Sequence, residues 1–260
     1  MHPIPYDLSR LNTATKYPSI PTHHQLDPRN GGLLETPTVF TGDVVLTEKV
    51  DGTNGRVVLL DDDDFFIGSR EELLYAKGDR IANPAQGIVT ALEPLAQRLS
   101  SGARFTGAGI TVLYLEVYGG KIGSAAKQYQ DSGAVGYRLF DIAQVPFSVL
   151  DWAPSQISTW RENAGPKWYS ETDLLELSAT EDIAVTPRLG TLPASALPSS
   201  IEDVRRWMEE VLPATRVALD QGAKGNPEGI VLRDTTRTAI SKARFQDYDR
   251  TLQRRTAAQR

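Results

Sequence analysis

A lysine just before a tight turn is the first feature of this sequence that could carry out covalent chemistry. Lys49 ends a β-branched run and precedes Asp51 and Gly52. A lysine attacks only as the neutral amine, so it needs burial or nearby cations to lower its pKa. Val45 and Thr47 share its side of the predicted strand and would line such a pocket. The segment predicts either a nucleophile beside a bound nucleotide or an ordinary hairpin with solvated charged flanks.

Three further charged residues stand beside predicted strands. Arg70 follows the next hairpin and could meet a phosphate, although a lone arginine in a loop is usually solvated. Glu116 interrupts the apolar run at residues 112–118. A buried carboxylate needs a partner, so Glu116 either faces outward or points into a site, where it would accept from a ribose hydroxyl or hold a metal through water. Glu228 is a second acidic residue beside a predicted strand, because it directly precedes the apolar run at 229–232.

An aromatic residue and two cations in the second half of the chain suggest a base and its phosphates. Phe140 is either a core residue or a platform for a base, a contact that contributes about 1–3 kcal/mol. Lys242 and Arg244 alternate along the last predicted strand and therefore share one face. Two cations on one face are unfavourable unless they are exposed or face an anion, so they predict either a phosphate site or a protected edge strand.

The elements that must position these residues are short strands and amphipathic helices. β-branched and aromatic runs predict strands at residues 44–50, 56–60, 65–67, 111–118, 136–142, 229–232 and 239–241. The Asp-Gly-Thr-Asn-Gly segment predicts a hairpin between the first two. Apolar residues at helical spacing predict helices near residues 6–11, from Asn83 to residue 100, and over 201–212. Because strands and helices do not alternate regularly, we expect an α+β fold built on antiparallel sheets.

Composition excludes several classes of protein. The chain has no cysteine, and its histidines are His2, His23 and His24. Thiolate catalysis and Cys-based zinc sites are therefore excluded, and a Ser–His–Asp triad is hard to build. A net charge of −5 excludes a protein that coats nucleic acid through its overall charge, but not one that binds nucleic acid through a local basic surface. Since no signal-peptide layout and no membrane-length apolar run is present, we expect a soluble, cytoplasmic protein without membrane contact.

The order of these motifs is more specific than any one of them. Lys-x-Asp-Gly is followed by Ser-Arg, Glu-x-x-Gly, Phe-Asp-Ile, Glu-Gly-Ile-Val and Lys-x-Arg, between Glu48 and Arg244. This series resembles the covalent nucleotidyltransferases, which include ATP-dependent polynucleotide ligases and capping enzymes. The segments around Lys49 and at residues 16–20 look most like the RNA ligases of the nick-sealing, RNA-repair branch. DNA ligases and capping enzymes usually have arginine where this chain has Asn54.

The resemblance implies a role for each motif. Lys49 would attack the α-phosphate of ATP and become a lysyl-adenylate. AMP would then pass to the 5′-phosphate end of an RNA, and a 3′-hydroxyl would displace it. Mg²⁺ (or Mn²⁺) would bind with the help of Glu228. Glu48 would contact the adenine edge, Phe140 would stack on the base, and Glu116 would contact the ribose. Asn54 and Arg70 would contact phosphates or the RNA end, and Lys242 and Arg244 would bind the phosphates of ATP. Asp51 and Gly52 would form the turn after the nucleophile.

The resemblance also implies a domain organisation. We expect an ATP-grasp-like ligase adenylation domain over residues 1–245, including an irregular N-terminal lead-in at residues 1–43. A basic tail would follow at 246–260, with no OB domain. The tail would bind RNA backbone or form a solvated terminal helix, and a separate end-healing or RNA-binding partner is compatible with this plan. Arg244 departs from the Lys-x-Lys pattern common in the family. A minimal DNA ligase of the same fold and a catalytically silent nucleotide- or RNA-binding module stay open as alternatives, whereas Asn54 disfavours a capping enzyme.

Overall fold

The fold consists of antiparallel sheets flanked by helices. The computed structural model describes residues 6–61, 63–78, 81–82, 87–102, 105, 109–122, 126–130, 132–219, 223 and 225–258. The strands are β1 (His24–Leu26), β2 (Leu33–Pro37), β3 (Asp43–Lys49), β4 (Thr53–Leu59), β5 (Phe65–Ser69), β6 (Leu73–Ala76), β7 (Ile81–Ala82), β8 (Ile110–Gly119), β9 (Val135–Val145), β10 (Lys167–Trp168), β11 (Arg188–Pro193), β12 (Gly229–Asp234) and β13 (Ile240–Arg244). The helices are α1 (Leu8–Thr15), α2 (Ile88–Ser100), α3 (Ala126–Tyr129), α4 (Pro154–Glu162), α5 (Glu171–Thr180), α6 (Ile201–Val211) and α7 (Phe245–Ala258).

The strands form two main sheets. The larger has the order β10-β9-β8-β4-β5-β6-β7, the smaller has the order β11-β3-β12-β13, and β1 pairs with β2. Every pairing between these strands is antiparallel. The α+β prediction is therefore confirmed, and the predicted strands are all present.

The predicted hairpin around Asp51 and Gly52 is wrong. β3 pairs with β11 and β12, whereas β4 pairs with β5 and β8. The short segment between β3 and β4 therefore crosses from one sheet to the other instead of turning back on itself. The Asp-Gly signal predicts a tight change of direction, but the pairing partner of each strand is decided by residues far away in sequence.

Apolar side chains pack on both sheets. α2 covers one face of the larger sheet, and the helical stripe of Ile88, Leu92, Leu95 and Leu99 is buried there as predicted. The predicted start of this helix at Asn83 lies outside the described residues. α1 and α4 cover the other face. α6 and α7 pack on the smaller sheet, where Val204 and Met208 are buried.

The lead-in and the C-terminal residues both attach to the smaller sheet. The amide of Lys242 donates to the carbonyl of Pro21, and the amide of His23 donates to the carbonyl of Lys242. The lead-in thus pairs with the outer edge of β13. The residues expected as a basic tail form α7, in which Tyr248 is buried and Arg255 pairs with Glu35 and Glu202.

None of the helices in the described part of the chain combines the length and apolar character that crossing a bilayer demands.

Candidate active site

A cavity of about 400 Å³ lies between the two sheets. Its size is in the range of small-molecule sites. All of the site residues predicted from sequence line it: Glu48, Lys49, Asp51, Gly52, Asn54, Arg70, Glu116, Phe140, Glu228, Lys242 and Arg244. The structure therefore brings together residues from six separate motifs.

Lys49 ends β3 at the centre of this cavity and is held by an acidic partner. Its Nζ donates to Oε2 of Glu228 at 2.5 Å. The register explains the pair, because Lys49 lies opposite Gly229, the residue after Glu228. Burial raises the pKa of Glu228 even though Lys49 counteracts the effect. Of the two residues predicted to line the lysine pocket, Thr47 does so, whereas Val45 is buried and is not among the lining residues.

Glu116 points into the same cavity from β8. Burial raises its pKa to about 7, Lys49 opposes the rise, and the negative charges of Glu228 and Asp51 add to it. The outward-facing alternative is therefore wrong. A carboxyl that titrates near neutrality beside a lysine is typical of functional sites, where burial and like charges are brought together.

The turn after Lys49 is shaped by contacts with β8. The amide of Gly52 donates to Oε1 of Glu116 at 3.1 Å, and the amide of Asp51 donates to the hydroxyl of Tyr129 at 2.7 Å. A Cβ at Gly52 would overlap the carbonyl oxygen of Val117. Glycine is needed here because the backbone of β8 is too close for any side chain.

Three further cations, Arg70, Lys242 and Arg244, line the cavity. Burial lowers the pKa of Lys242, and the neighbouring Arg244, Lys49 and Arg70 lower it further. Arg70 is largely exposed and donates to the hydroxyl of Ser19 at 3.3 Å. Like charges that remain close together despite this repulsion are suited to binding an anion such as a triphosphate.

Glu48 and Asn54, both predicted to contact the ligand, differ in whether their side-chain oxygens already have hydrogen-bond partners. The carboxylate of Glu48 accepts from the hydroxyl of Thr215 and, at 2.8 Å, from the amide of Arg216. Its contact with adenine therefore stays a prediction and requires an oxygen that is already hydrogen-bonded. Asn54 is the opposite case, because its Oδ1 is buried and has no partner among the described residues. A bound ligand could supply the missing donor.

Phe140 and Tyr17 form an aromatic corner of the cavity. Their ring centroids are 5.0 Å apart at an interplanar angle of 90°. Tyr17 belongs to the lead-in, which also contributes Pro18 and Ile20 to the lining. The stacking role of Phe140 stays a prediction, and its half-buried ring is held edge-on by Tyr17.

Several lining residues were not predicted from sequence. They are Tyr17, Pro18, Ile20, Val50, Thr53, Thr186, Val231, Arg233 and Ile240. Arg233 is the most notable, because its side chain is only 3% exposed and pairs with Glu171 and Asp141. Alternation from Val231 along β12 could have indicated that Arg233 faces the same side, since side chains two apart share a face.

Two carboxylates of the cavity are suited to binding a divalent cation together with phosphate oxygens. Within the described residues, no group of three acidic or histidine side chains converges to hold a metal alone. Glu116 and Glu228 nevertheless both have raised pKa values and face one cavity, so a hard cation would relieve their repulsion. Mg²⁺ is commonly held by one or two carboxylates together with substrate phosphates and water. Glu228 and Glu116 are the residues that would hold it here.

The chain belongs to the RNA ligase family. The model of that family, described as RNA ligase, matches residues 42–248, which is most of the chain. The match spans every motif from Lys49 to Arg244. Comparison with curated protein sequences gives no significant match.

Solved structures of RNA ligases share the fold. The Naegleria gruberi RNA ligase with PPi superposes with a TM-score of 0.54 at 14% identity, over 98% of this chain and 64% of that chain. A variant of the same ligase with ATP and Mn gives 0.55 at 15%, over 95% and 63%. An archaeal ATP-dependent RNA ligase gives 0.53 at 15%, over 90% and 49%. This chain thus spans between about half and two-thirds of the length of these ligases, and at this identity the likeness shows the fold.

Proposed function

We propose that this chain is an ATP-dependent RNA ligase that forms a lysyl-AMP intermediate. The observation that carries the proposal is the convergence of Lys49 with the carboxylates of Glu116 and Glu228 and the cations of Arg70, Lys242 and Arg244 on one nucleotide-sized cavity. Membership in the RNA ligase family supports it. Related structures that were determined with ATP and Mn, or with PPi, support ATP and a divalent metal as cofactors.

Lys49 would carry the nucleotide. Its Nζ attacks the α-phosphorus of ATP, a nitrogen–phosphorus bond forms, and the bond to the bridging oxygen of the β-phosphate breaks. Attack requires the neutral amine, so the ion pair with Glu228 must be given up first. Lys242, Arg244 and Arg70 would stabilise the charge that develops on the departing pyrophosphate. A divalent cation, when bound, supplies further charge neutralisation at the phosphates.

The second and third steps would join RNA ends. AMP passes to a 5′-phosphate, and a 3′-hydroxyl then displaces AMP to make the phosphodiester. Asn54 and the exposed Arg70 are the residues we assign to the phosphates or the RNA end. The unpartnered Oδ1 of Asn54 would accept from a hydroxyl of the RNA end rather than from a phosphate oxygen. A requirement for a ribonucleotide at the 3′-hydroxyl end would distinguish an RNA ligase from a DNA ligase of the same fold.

The finer description of the fold is part of the proposal. We infer an ATP-grasp-like adenylation domain, for which the two facing sheets and the cavity between them are the support. The domain boundary at residue 245, the lack of an OB domain, a separate end-healing or RNA-binding partner and the cytoplasmic location all stay predictions.

Incubation with ATP labelled at the α-phosphate, followed by denaturing electrophoresis, tests the first step. We expect a label that survives denaturation, requires a divalent cation and is absent from Lys49→Ala. Lys167→Ala is a matched control, because Lys167 is an exposed lysine on β10, outside the cavity.

Two results would decide against the proposal. A covalent label retained in Lys49→Ala would overturn the role of Lys49. If the wild-type protein takes up no label even after pyrophosphate treatment to remove any AMP already bound, the chain is a binding module without the first catalytic step.

A further inference from the structure

Arg244 is held by a carboxylate three residues further along the chain. Its Nε donates to Oδ2 of Asp247 at 2.8 Å, and its Nη2 donates to Oδ1 at 3.1 Å. Two parallel hydrogen bonds to one carboxylate fix both the position and the plane of a guanidinium. The Asp247 side chain is only 3% exposed, so water competes little for this pair.

Asp247 is itself fixed from a second side. Arg250 donates to Oδ1 of Asp247 at 3.1 Å and to the carbonyl of Gly31 at 2.9 Å. α7 begins directly after Arg244, and its first amide, that of Phe245, donates to the carbonyl of Glu228 at 3.0 Å. The first turn of α7 therefore places the carboxylate against the guanidinium and ties both to the strand that follows Glu228.

The other edge of Arg244 is available to a ligand. Arg244 lines the cavity together with Lys242. Its Nε and Nη2 are used by Asp247, while Nη1 has no hydrogen-bond partner among the described residues. A lysine in this place, as in the Lys-x-Lys pattern, would be a point charge on a flexible stem and could not form the two-bond pair.

We propose that Asp247 is a positioning residue for adenylyl transfer, holding the free edge of the Arg244 guanidinium toward the outer phosphates of ATP. The proposal rests on the proposed function. During transfer the electron pair of the broken phosphorus–oxygen bond leaves on pyrophosphate. A guanidinium already in place stabilises that charge without reorganising during the reaction. Arg244 contacts the leaving group, and Asp247 acts only through Arg244.

A simple charge effect and a positioning effect predict opposite results. Removing Asp247 takes one negative charge from the neighbourhood of a phosphate site. If Asp247 were only an electrostatic neighbour, Asp247→Ala would strengthen ATP binding and would not slow the reaction. If Asp247 positions Arg244, the same change releases the guanidinium, and the reaction slows although the site has become more positive.

The experiment is a double-mutant cycle on lysyl-adenylate formation. The single-turnover rate is measured against ATP concentration for the wild type, Asp247→Ala, Arg244→Lys and the double variant. We expect Asp247→Ala to lower the maximal rate about tenfold or more, in line with the sensitivity of positioned groups to small displacements. In the Arg244→Lys background, Asp247→Ala should have no further effect, because the pair no longer exists.

Controls separate positioning from general damage. Asp249→Ala removes another aspartate–arginine pair from the same helix, and its partner Arg205 lies outside the cavity, so its rate should equal that of the wild type. Thermal unfolding of each variant checks the fold, and Asp247→Glu, which keeps the charge and moves the carboxylate, replaces Asp247→Ala if the latter does not fold. Asp247→Glu should also slow the reaction.

Three results would overturn the inference. They are an unchanged maximal rate in Asp247→Ala, a tighter ATP half-saturation at full rate, and an equal slowing in the Arg244→Lys background. A wild-type protein that forms no adduct would instead refute the proposed function itself.

Discussion

The two buried charged regions of this protein lie side by side, and their electrostatics differ. In the cavity, burial raises the pKa of both Glu116 and Glu228 and lowers that of Lys242. In the adjacent cluster formed by Tyr17, Asp141, Glu171, Arg188, Arg233 and Arg237, which we call the matched cluster, every arginine is paired with a carboxylate. There, burial works to raise the pKa of Glu171, but Arg188 and Arg233 outweigh it and hold that pKa below its usual range.

The difference lies in how many partners each charge has. Asp141 accepts from Arg237 at 2.6 Å and from the hydroxyl of Tyr17 at 2.8 Å, and lies 3.6 Å from Arg233. In the cavity, Lys49 is the counter-charge that Glu116 and Glu228 share. The matched cluster stabilises the fold, whereas Glu116 and Lys242 in the cavity form no ion pair among the described residues. Those charges are left for a ligand.

The largest effect on stability should come from breaking the matched cluster. Asp141→Asn leaves the buried Arg237 without its carboxylate, while Arg233 keeps Glu171, so we expect the free energy of unfolding to fall by about 3–5 kcal/mol. Adduct formation per folded molecule should persist, because Asp141 does not line the cavity and its partner Arg233, which does, is still held by Glu171. Denaturant unfolding measures the loss.

The matched control for this prediction is Asp249→Asn. Asp249 pairs with Arg205 at 2.6 Å but is 45% exposed, and exposed pairs contribute about 1 kcal/mol or less. An equally small loss for Asp141→Asn would show that the cluster does not hold the sheets together.

The pH dependence of stability should differ in sign between the two regions. The folded protein keeps a proton on Glu116 up to a pKa of about 7, whereas the unfolded chain releases it near the ordinary value for glutamate. Stability from this group therefore falls as pH rises from about 4.5 to 7, by about 3 kcal/mol. Glu171 has a lowered pKa, so its contribution is present above about 4.5 and is lost as pH falls further.

Two variants separate these contributions. Relative to the wild type, Glu116→Gln should gain stability between about pH 4.5 and 7, because the cost of ionising a buried carboxyl is gone. Glu171→Gln should lose stability at neutral pH and approach the wild type in acid. Unfolding curves recorded across this range check both, and identical pH profiles for the two variants would contradict the comparison.

The smallest effect concerns the aromatic corner. Phe140→Ala should weaken nucleotide binding by about 1–3 kcal/mol if the ring stacks on the base. Titration with a non-hydrolysable ATP analogue measures it. Phe147→Ala is the control, because Phe147 stacks on Tyr6 outside the cavity. Unchanged affinity in Phe140→Ala would show that the ring only packs against Tyr17.

The sequence was informative where structure is local. β-branched runs and helical spacing predicted the strands and the buried stripe of α2, because these patterns are set within a few residues. The hairpin prediction failed because β3 pairs with β12, almost two hundred residues later, and no local signal carries that information. The motif residues were found because their order resembles that of a family, although each alone is ambiguous.

The residues that sequence reasoning missed are those whose partners are distant. Tyr17 and Asp141 meet across 124 positions, and Arg233 and Glu171 across 62. Asp247 is a different case, because it lies only three residues after Arg244. From the sequence, Asp247 would be expected to be a solvated residue of a basic tail. The junction between β13 and α7 instead buries its carboxylate against Arg244.

The pairing of the lead-in with β13 has a consequence for any shortened version of this protein. The family match begins at residue 42, after the segment whose Pro21 and His23 cover the edge of β13. A chain cut to the matched region would leave that strand with unpaired amides and carbonyls, open to the same strand of another molecule. Such a fragment should self-associate and aggregate, and its inactivity would say nothing about the chemistry of Lys49.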